Sequence, residues 1–495
     1  MPIACFPGCF LLSNLLVTRC NMRAVSRNLW SRLAFLTLLL ACATFAAADD
    51  GPNQKLEREF QFALSQYNAG HFSEAAAQLE NLLPSMPNSF EVQELLGLTY
   101  AAQSQDAKAT PHLELAVQLK PNVAAARTNL AANLSRLGKL ELAGVQFQKA
   151  LELEPHDYDA NHNLGEFYIQ AGKIATAIPY LESAQRIKPE SYNNGYDLAM
   201  SYFLTGKLDR AHQQVASLLQ LKNTAELHNL LGQIDEKDGK FLDAVDELQT
   251  AAHMDPSEDN LFHWGSELLL HRTYEPAIDV FQRGVQLYPN SPRLEIGLGM
   301  ALYSRGKYDD AVKALLAAAD LDPSDPRCYY FLSKAYDSSP NQAEGVIQRF
   351  RHFYELEPNN AQAAYYYAMS LWKGKRTEDP NLDLQQVKSL LGKAISLNPQ
   401  LTEAHAQLGN LYSDQRDYTQ SITEYARALD INPNLPDTHY RLGQDYVHTG
   451  QKDRAQQEFE TYQHLRAQHM AELDKERAEV QQFVYSASSA PSIKP

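Results

Sequence analysis

Residue types that could do chemistry occur along the chain, but their spacing does not serve it. Gly297-Leu298-Gly299 begins like a phosphate-binding turn, where glycines let the backbone approach an anion at a helix N-terminus, yet no Gly-x-x-Gly follows and the triplet falls inside a helical pattern. His464 and His469 are five apart, off the i, i+4 face that a zinc-binding helix needs. His156 and His162 straddle a turn and a helix start. Cysteines stand at 5, 9, 20, 42 and 328, and a chain cut after residue 48 would keep Cys328 alone, enough for neither an internal disulfide nor a thiolate metal cluster. Scattered Asp and Glu read as a solvated surface. No catalytic, metal or cofactor site is expected, and the side chains left to explain are those that make contacts.

What positions them is a repeat. A small residue following an apolar one recurs at Ala63, Gly97, Ala131, Gly165, Ala199, Gly232, Gly265, Gly299, Ser333, Ala368, Gly409 and Gly443, at a spacing of 33 to 35 residues broken once by 41. Three residues beyond these anchors lie Tyr100, Tyr168, Tyr202, Tyr336, Tyr412 and Tyr446. Seven beyond lies a glycine in seven units, and twelve beyond an alanine in nine, Ala244 among them. A proline closes nearly every unit. The apolar-small pair and the tyrosine share one face of a first helix. The glycine turns the chain where φ > 0 costs it nothing. The alanine lets a second helix approach closely, and the proline ends it. The expected fold is all-α, helix–turn–helix repeated twelve times.

The stretch Asn161–Pro189, NHNLGEFYIQAGKIATAIPYLESAQRIKP, resembles the tetratricopeptide repeat family, and the resemblance spans roughly residues 56–466. It implies a right-handed superhelical solenoid whose first helices line a concave groove. It also implies binding rather than catalysis: the family's glycosyltransferases carry a large enzyme domain after their repeats, and here the repeats fill nearly all the chain. Two units depart from the pattern. The one anchored at Ser333 has Pro340 and Gly345 where glycine and alanine are expected, and the one anchored at Ala368 has about seven extra residues near Arg376 to Asp383, read as a loop.

The ends read differently. Arg23, Arg27 and Arg32 precede an apolar run from Leu33 to Phe45, then Ala46-Ala47-Ala48, the order of an export signal with its cleavage site. Residues 1–48 are therefore expected to be a signal peptide, with Met22 as a possible true start, and 49–55 a short linker. The competing reading is a lipoprotein box, Leu39-Leu40-Ala41-Cys42, which would lipidate Cys42 and tether the protein to a membrane. Residues 467–485 read as a charged extension helix that caps the last repeat, and 486–495 as a disordered tail. Export would make the protein periplasmic or secreted.

Forty-four basic residues stand against 60 acidic ones, a formal charge of −16 with no Lys/Arg-rich run, a surface that repels phosphate backbones and speaks against nucleic acid as a partner. On each first helix the residues three before, one after and four after the anchor form a second stripe, rotated from the packing face by about 100°. By the family resemblance this stripe faces the groove. Early stripes are small or polar: Glu94, Leu98, Ala101; Thr128, Ala132, Ser135; His162, Glu166, Ile169. Later ones turn aromatic: Phe262, Ser266, Leu269; Ile296, Met300, Tyr303; Tyr330, Lys334, Asp337; Tyr365, Met369, Trp372. Such rings either meet a partner or pack between neighbouring first helices. Asn129 and Asn163, followed in register by Asp197, resemble a short start of the family's asparagine ladder for extended peptides, or else plain repeat consensus, the reading preferred here. The expected function is a non-enzymatic scaffold that binds a protein or peptide. The alternative is a subunit of an envelope polysaccharide export or assembly machine, since aromatic grooves also stack on sugars.

Overall fold

The computed structural model describes residues 52–339, 342–378 and 384–468. The fold is an all-α helical-repeat solenoid; the described residues form twelve helix pairs and no strands. They fall into two compact units, one ending at Asp255 and one starting at Pro256, and each holds six pairs. The export segment, Cys42 and the tail from residue 469 lie outside the described residues. No described helix is long and apolar enough to cross a membrane.

Within a pair, the anchor is a hole and a second-helix side chain sixteen residues on is the knob. A Cβ placed on Gly97 would stand 2.6 Å from Cγ of Leu113, and one on Gly409 would stand 2.6 Å from Cδ1 of Tyr425. The alanines twelve beyond the anchors are fully enclosed from Ala75 to Ala311. Consecutive first helices also touch, as Phe90–Ala102 does with Ala124–Arg136 and Pro292–Arg305 does with Pro326–Ser338.

All seven turn glycines expected from the repeat take positive φ, from 71° to 84°. Ser104, Arg272 and Arg416 occupy the same turn position and take φ of 59° to 63° although they carry a Cβ. Repeat geometry therefore overrides residue preference at that point. From the second repeat on, the second helices that meet a closing proline end two residues before it, because the residue preceding Pro is driven out of the α region: Glu154 lies at φ −133°, ψ 71° and Lys188 at φ −135°, ψ 81°.

Two recurring devices fix how the first helices enter. Eight residues before the anchor a polar side chain caps the helix: Ser89, Asp157, Ser191, Thr224, Ser257, Ser291 and Asp325 each accept a backbone N–H, satisfying a donor that the helix leaves orphaned. Four residues before the anchor a polar side chain braces the linker. Gln93, Asn161, Tyr329, His405 and His439 bond the carbonyl of the proline six residues back, at 2.6 to 3.1 Å. Several of them reach forward as well, to the second helix. His405 Nδ1 meets Glu424 at 2.7 Å, and His439 Nδ1 meets Glu458 at 2.5 Å.

The insertion differs from the expected loop. The first helix Ala361–Glu378 runs through Arg376 to Glu378, so part of the extra sequence lengthens the helix rather than leaving it. Residues 379–383 lie outside the described residues. At the other end, helix starts at Pro52, inside the segment expected to be a linker.

Candidate binding face of the first helices

In the unit up to Asp255 two stripe carboxyls, Glu94 and Glu166, are buried, and the stripe also carries Phe60, Tyr67, Tyr196 and Phe203. Asn129, buried, donates its amide to Glu94 Oε1 at 3.0 Å. Its donor is thus engaged within the protein. Asn163 is half-buried on the next first helix. His162, also half-buried, stacks on Tyr158 with ring centroids 5.5 Å apart, and its Nδ1 stands 3.1 Å from Asn194 Oδ1. Burial pushes the Glu94 carboxyl up to about 6, against the lowering effect of the Asn129 bond. Burial, with the neighbouring Asp197 charge second, pushes Glu166 up to about 8. Asp197 rises to about 7, again from burial first and then from Glu226. Three carboxyls on first helices of this unit thus resist ionisation.

In the unit from Pro256 the stripe is aromatic, and the rings differ in fate. Phe262 is half-buried, lies 6.3 Å from the Phe281 ring, and carries the Arg293 guanidinium 5.2 Å above its centroid. That guanidinium is held by Glu258 at 2.6 Å and Asp259 at 2.5 Å. Tyr303 is half-buried beside Tyr308, centroids 5.5 Å apart. Tyr330 is 43% exposed, the most open ring of the stripe. It meets Phe331 edge-on at 5.0 Å, and Lys334 Nζ stands 5.8 Å from its centroid. Tyr365 is half-buried against Tyr366, 5.7 Å away, and Met369 is half-buried one turn on. Trp372 is 7% exposed, so its ring is packing.

Tyr303, Tyr330, Tyr365 and Tyr366 form one neighbourhood. Tyr330 acts electrostatically on Tyr303 and on Tyr366, Asp337 acts on Tyr303 and Tyr365, and Glu403 acts on Tyr365 and Tyr366. Burial, reinforced by these carboxylates, raises the hydroxyl pKa of Tyr303, Tyr365 and Tyr366, so the rings stay neutral. Tyr366 and Glu403 lie outside the stripe as read from the sequence. Their positions, two and six residues before their anchors, show no repeat-wide residue type that would single them out. Among the described residues no group of three or more His, Cys, Asp or Glu could hold a metal ion, and Cys328 is a buried free thiol pushed up by its surroundings.

Family models described as tetratricopeptide or TPR repeats match residues 60–124, 147–178, 168–234, 299–337 and 412–450. The chain belongs to the tetratricopeptide repeat family. Proteins of this family are generally non-catalytic scaffolds that take part in protein–protein interaction. A curated relative, the TPR repeat-containing protein YpiA of Bacillus subtilis (strain 168), is 27% identical over 194 residues, 39% of this chain and 44% of that protein; the chain spans under half of that relative's length. Solved structures with the same kind of fold include a tetratricopeptide repeat protein from Parabacteroides merdae (16% identical, TM-score 0.38, half of this chain and 99% of that one). Another is YrrB, described as a TPR protein with an unusual peptide-binding site (17% identical, TM-score 0.34, 36% of this chain and 93% of that one).

Proposed function

We propose that this tetratricopeptide protein is a non-catalytic scaffold that is exported from the cytoplasm and binds a protein or peptide partner on the first-helix stripe of residues 256–468. The observation that carries the reading is the exposure of one ring at a fixed repeat position. Three residues before their anchors, Glu94 is buried and Phe262 and Tyr365 are half-buried, while Tyr330 is left 43% exposed. Large rings that stay open on a helix face give much contact area for little lost side-chain entropy, and such residues dominate binding where they meet a partner. The formal charge of −16 opposes a nucleic-acid partner. Export is supported by the Arg-rich, apolar, Ala-Ala-Ala order of residues 23–48.

A second reading rests on the same rings: an envelope polysaccharide stacking on the tyrosines, with the protein as a subunit of an export or assembly machine. Capture from an envelope fraction on the immobilised protein, run beside a glycan array, separates the two. A protein captured by the natural chain and lost with Tyr330→Ala supports the first; glycan binding with no protein capture supports the second. N-terminal sequencing of the mature protein tests export: Asp49 at the terminus is expected, a lipidated Cys42 would favour a tethered form, and an intact Met1 or Met22 would overturn both.

A further inference from the structure

We propose that the tyrosine neighbourhood of residues 256–468 recognises a cationic side chain of its partner, a Lys or Arg laid against Tyr330 and Tyr365 with its charge towards Glu403. The inference rests on the scaffold reading above and specifies the partner's chemistry.

The argument comes from a comparison of the chain with itself. Three residues before its anchor, the repeat at Gly265 has Phe262, and the residue six before the next anchor is Arg293, whose guanidinium lies 5.2 Å over that ring. Glu258 and Asp259 complete the set at 2.6 and 2.5 Å. One aromatic ring and two carboxylates therefore hold a cation that the protein supplies itself, by attraction to the ring quadrupole and by ion pairing. The repeat at Ala368 has Tyr365 at the same position, but the residue six before the next anchor is Glu403. The built-in cation is replaced by a carboxylate. Glu403 is exposed, and among the described residues it has no ion pair.

The surrounding chemistry points the same way. Lys334 Nζ lies 5.8 Å from the Tyr330 ring, and Lys373 Nζ pairs with Asp337 Oδ1 at 3.2 Å while lying 5.5 Å over Tyr336. The protein's own ammonium groups already use these rings and this acid, and Asp337 is engaged in doing so. Glu403 is the carboxylate left over, beside two tyrosines. A neutral sugar would use the ring faces but would leave that charge without a counterpart.

The test is fluorescence anisotropy with the whole chain at physiological salt, using a labelled N-acetylated peptide that alternates Lys with Gly and Ser, its Arg counterpart and its Gln counterpart. The Lys and Arg peptides are expected to bind and the Gln peptide not. Glu403→Gln and Tyr330→Ala should each weaken binding by about fivefold, while Glu152→Gln, an exposed acid of the other unit, should change it by less than about twofold. Both test positions are exposed, and unchanged thermal melts would show the variants folded. The proposal is overturned if the Gln peptide binds as well as the Lys peptide, if no peptide binds, or if Glu403→Gln behaves like Glu152→Gln. A protein partner captured equally well by the natural chain and by Glu403→Gln, and not displaced by excess Lys peptide, would remove the cationic reading and leave the scaffold reading standing. Displacement by maltohexaose but not by the Lys peptide would remove both.

Discussion

Arg272 and Arg416 sit in a left-handed turn that their neighbours in register fill with glycine. A side chain there costs roughly 1 kcal/mol or more, so Arg416→Gly is expected to stabilise the protein by about 0.5–1 kcal/mol after the added chain entropy of glycine is counted. Denaturant titration reads this directly, and a loss of stability would show that the Arg416 side chain contributes more than its backbone costs. The glycine turns were legible in the sequence because glycine marks them. The three exceptions were not, since Ser104, Arg272 and Arg416 keep the turn without the residue that announces it. The buried acids of the other unit give a pH prediction. Glu166, raised from 4.5 to about 8, and Asp197, raised from 3.8 to about 7, hold their protons longer in the folded chain than in the unfolded one. The native state therefore binds more protons across the window from about pH 4 to about pH 8, and stability falls as pH rises through it. The melting temperature should be lower at about pH 8.5 than at about pH 5.5, with a smaller difference in Glu166→Gln; an equal difference in the variant would show that Glu166 is not the group responsible.

Helices were the most legible scale. A fixed period of small and apolar residues marks where two helices must touch, and the knob-in-hole contacts between Gly97 and Leu113 or Gly409 and Tyr425 follow from it. Ala244 is fully enclosed at such a seam. Ala244→Leu should overpack it and cost about 1–3 kcal/mol in a denaturant titration, and a neutral result would mean the seam can open without penalty. The linker braces escaped the sequence reading for the opposite reason. Gln93, Asn161, Tyr329, His405 and His439 do the same job with different chemistry, so geometry repeats while identity does not. His405→Ala would remove a bond to the Pro399 carbonyl and one of the two partners of the buried Glu424, the other being Arg427, and a loss of about 1–3 kcal/mol is expected. The insertion was read as a loop because it breaks the period. Arg376, Thr377 and Glu378 carry no helix breaker ahead of Pro380, and the helix ran on to Glu378.

At the scale of the whole molecule, a repeat solenoid is a sum of neighbour contacts, so a surface side chain can be removed without loosening the rest. That property separates packing from binding among the late aromatics. Sequence alone placed Tyr330, Tyr365 and Trp372 on one stripe and left both roles open, because helical period gives direction but not depth. The structure gives depth: Trp372 is 7% exposed and Tyr330 is 43% exposed. Trp372→Ala should therefore cost about 3–5 kcal/mol, as for a buried aromatic. The central claim, that the open tyrosine face is a contact surface, is tested most directly by Tyr330→Ala, measured by thermal melt and by capture from an envelope fraction side by side. The predicted result is an unchanged melting temperature with weakened capture of the partner. A marked drop in melting temperature, or unweakened capture by a fully folded variant, would contradict it.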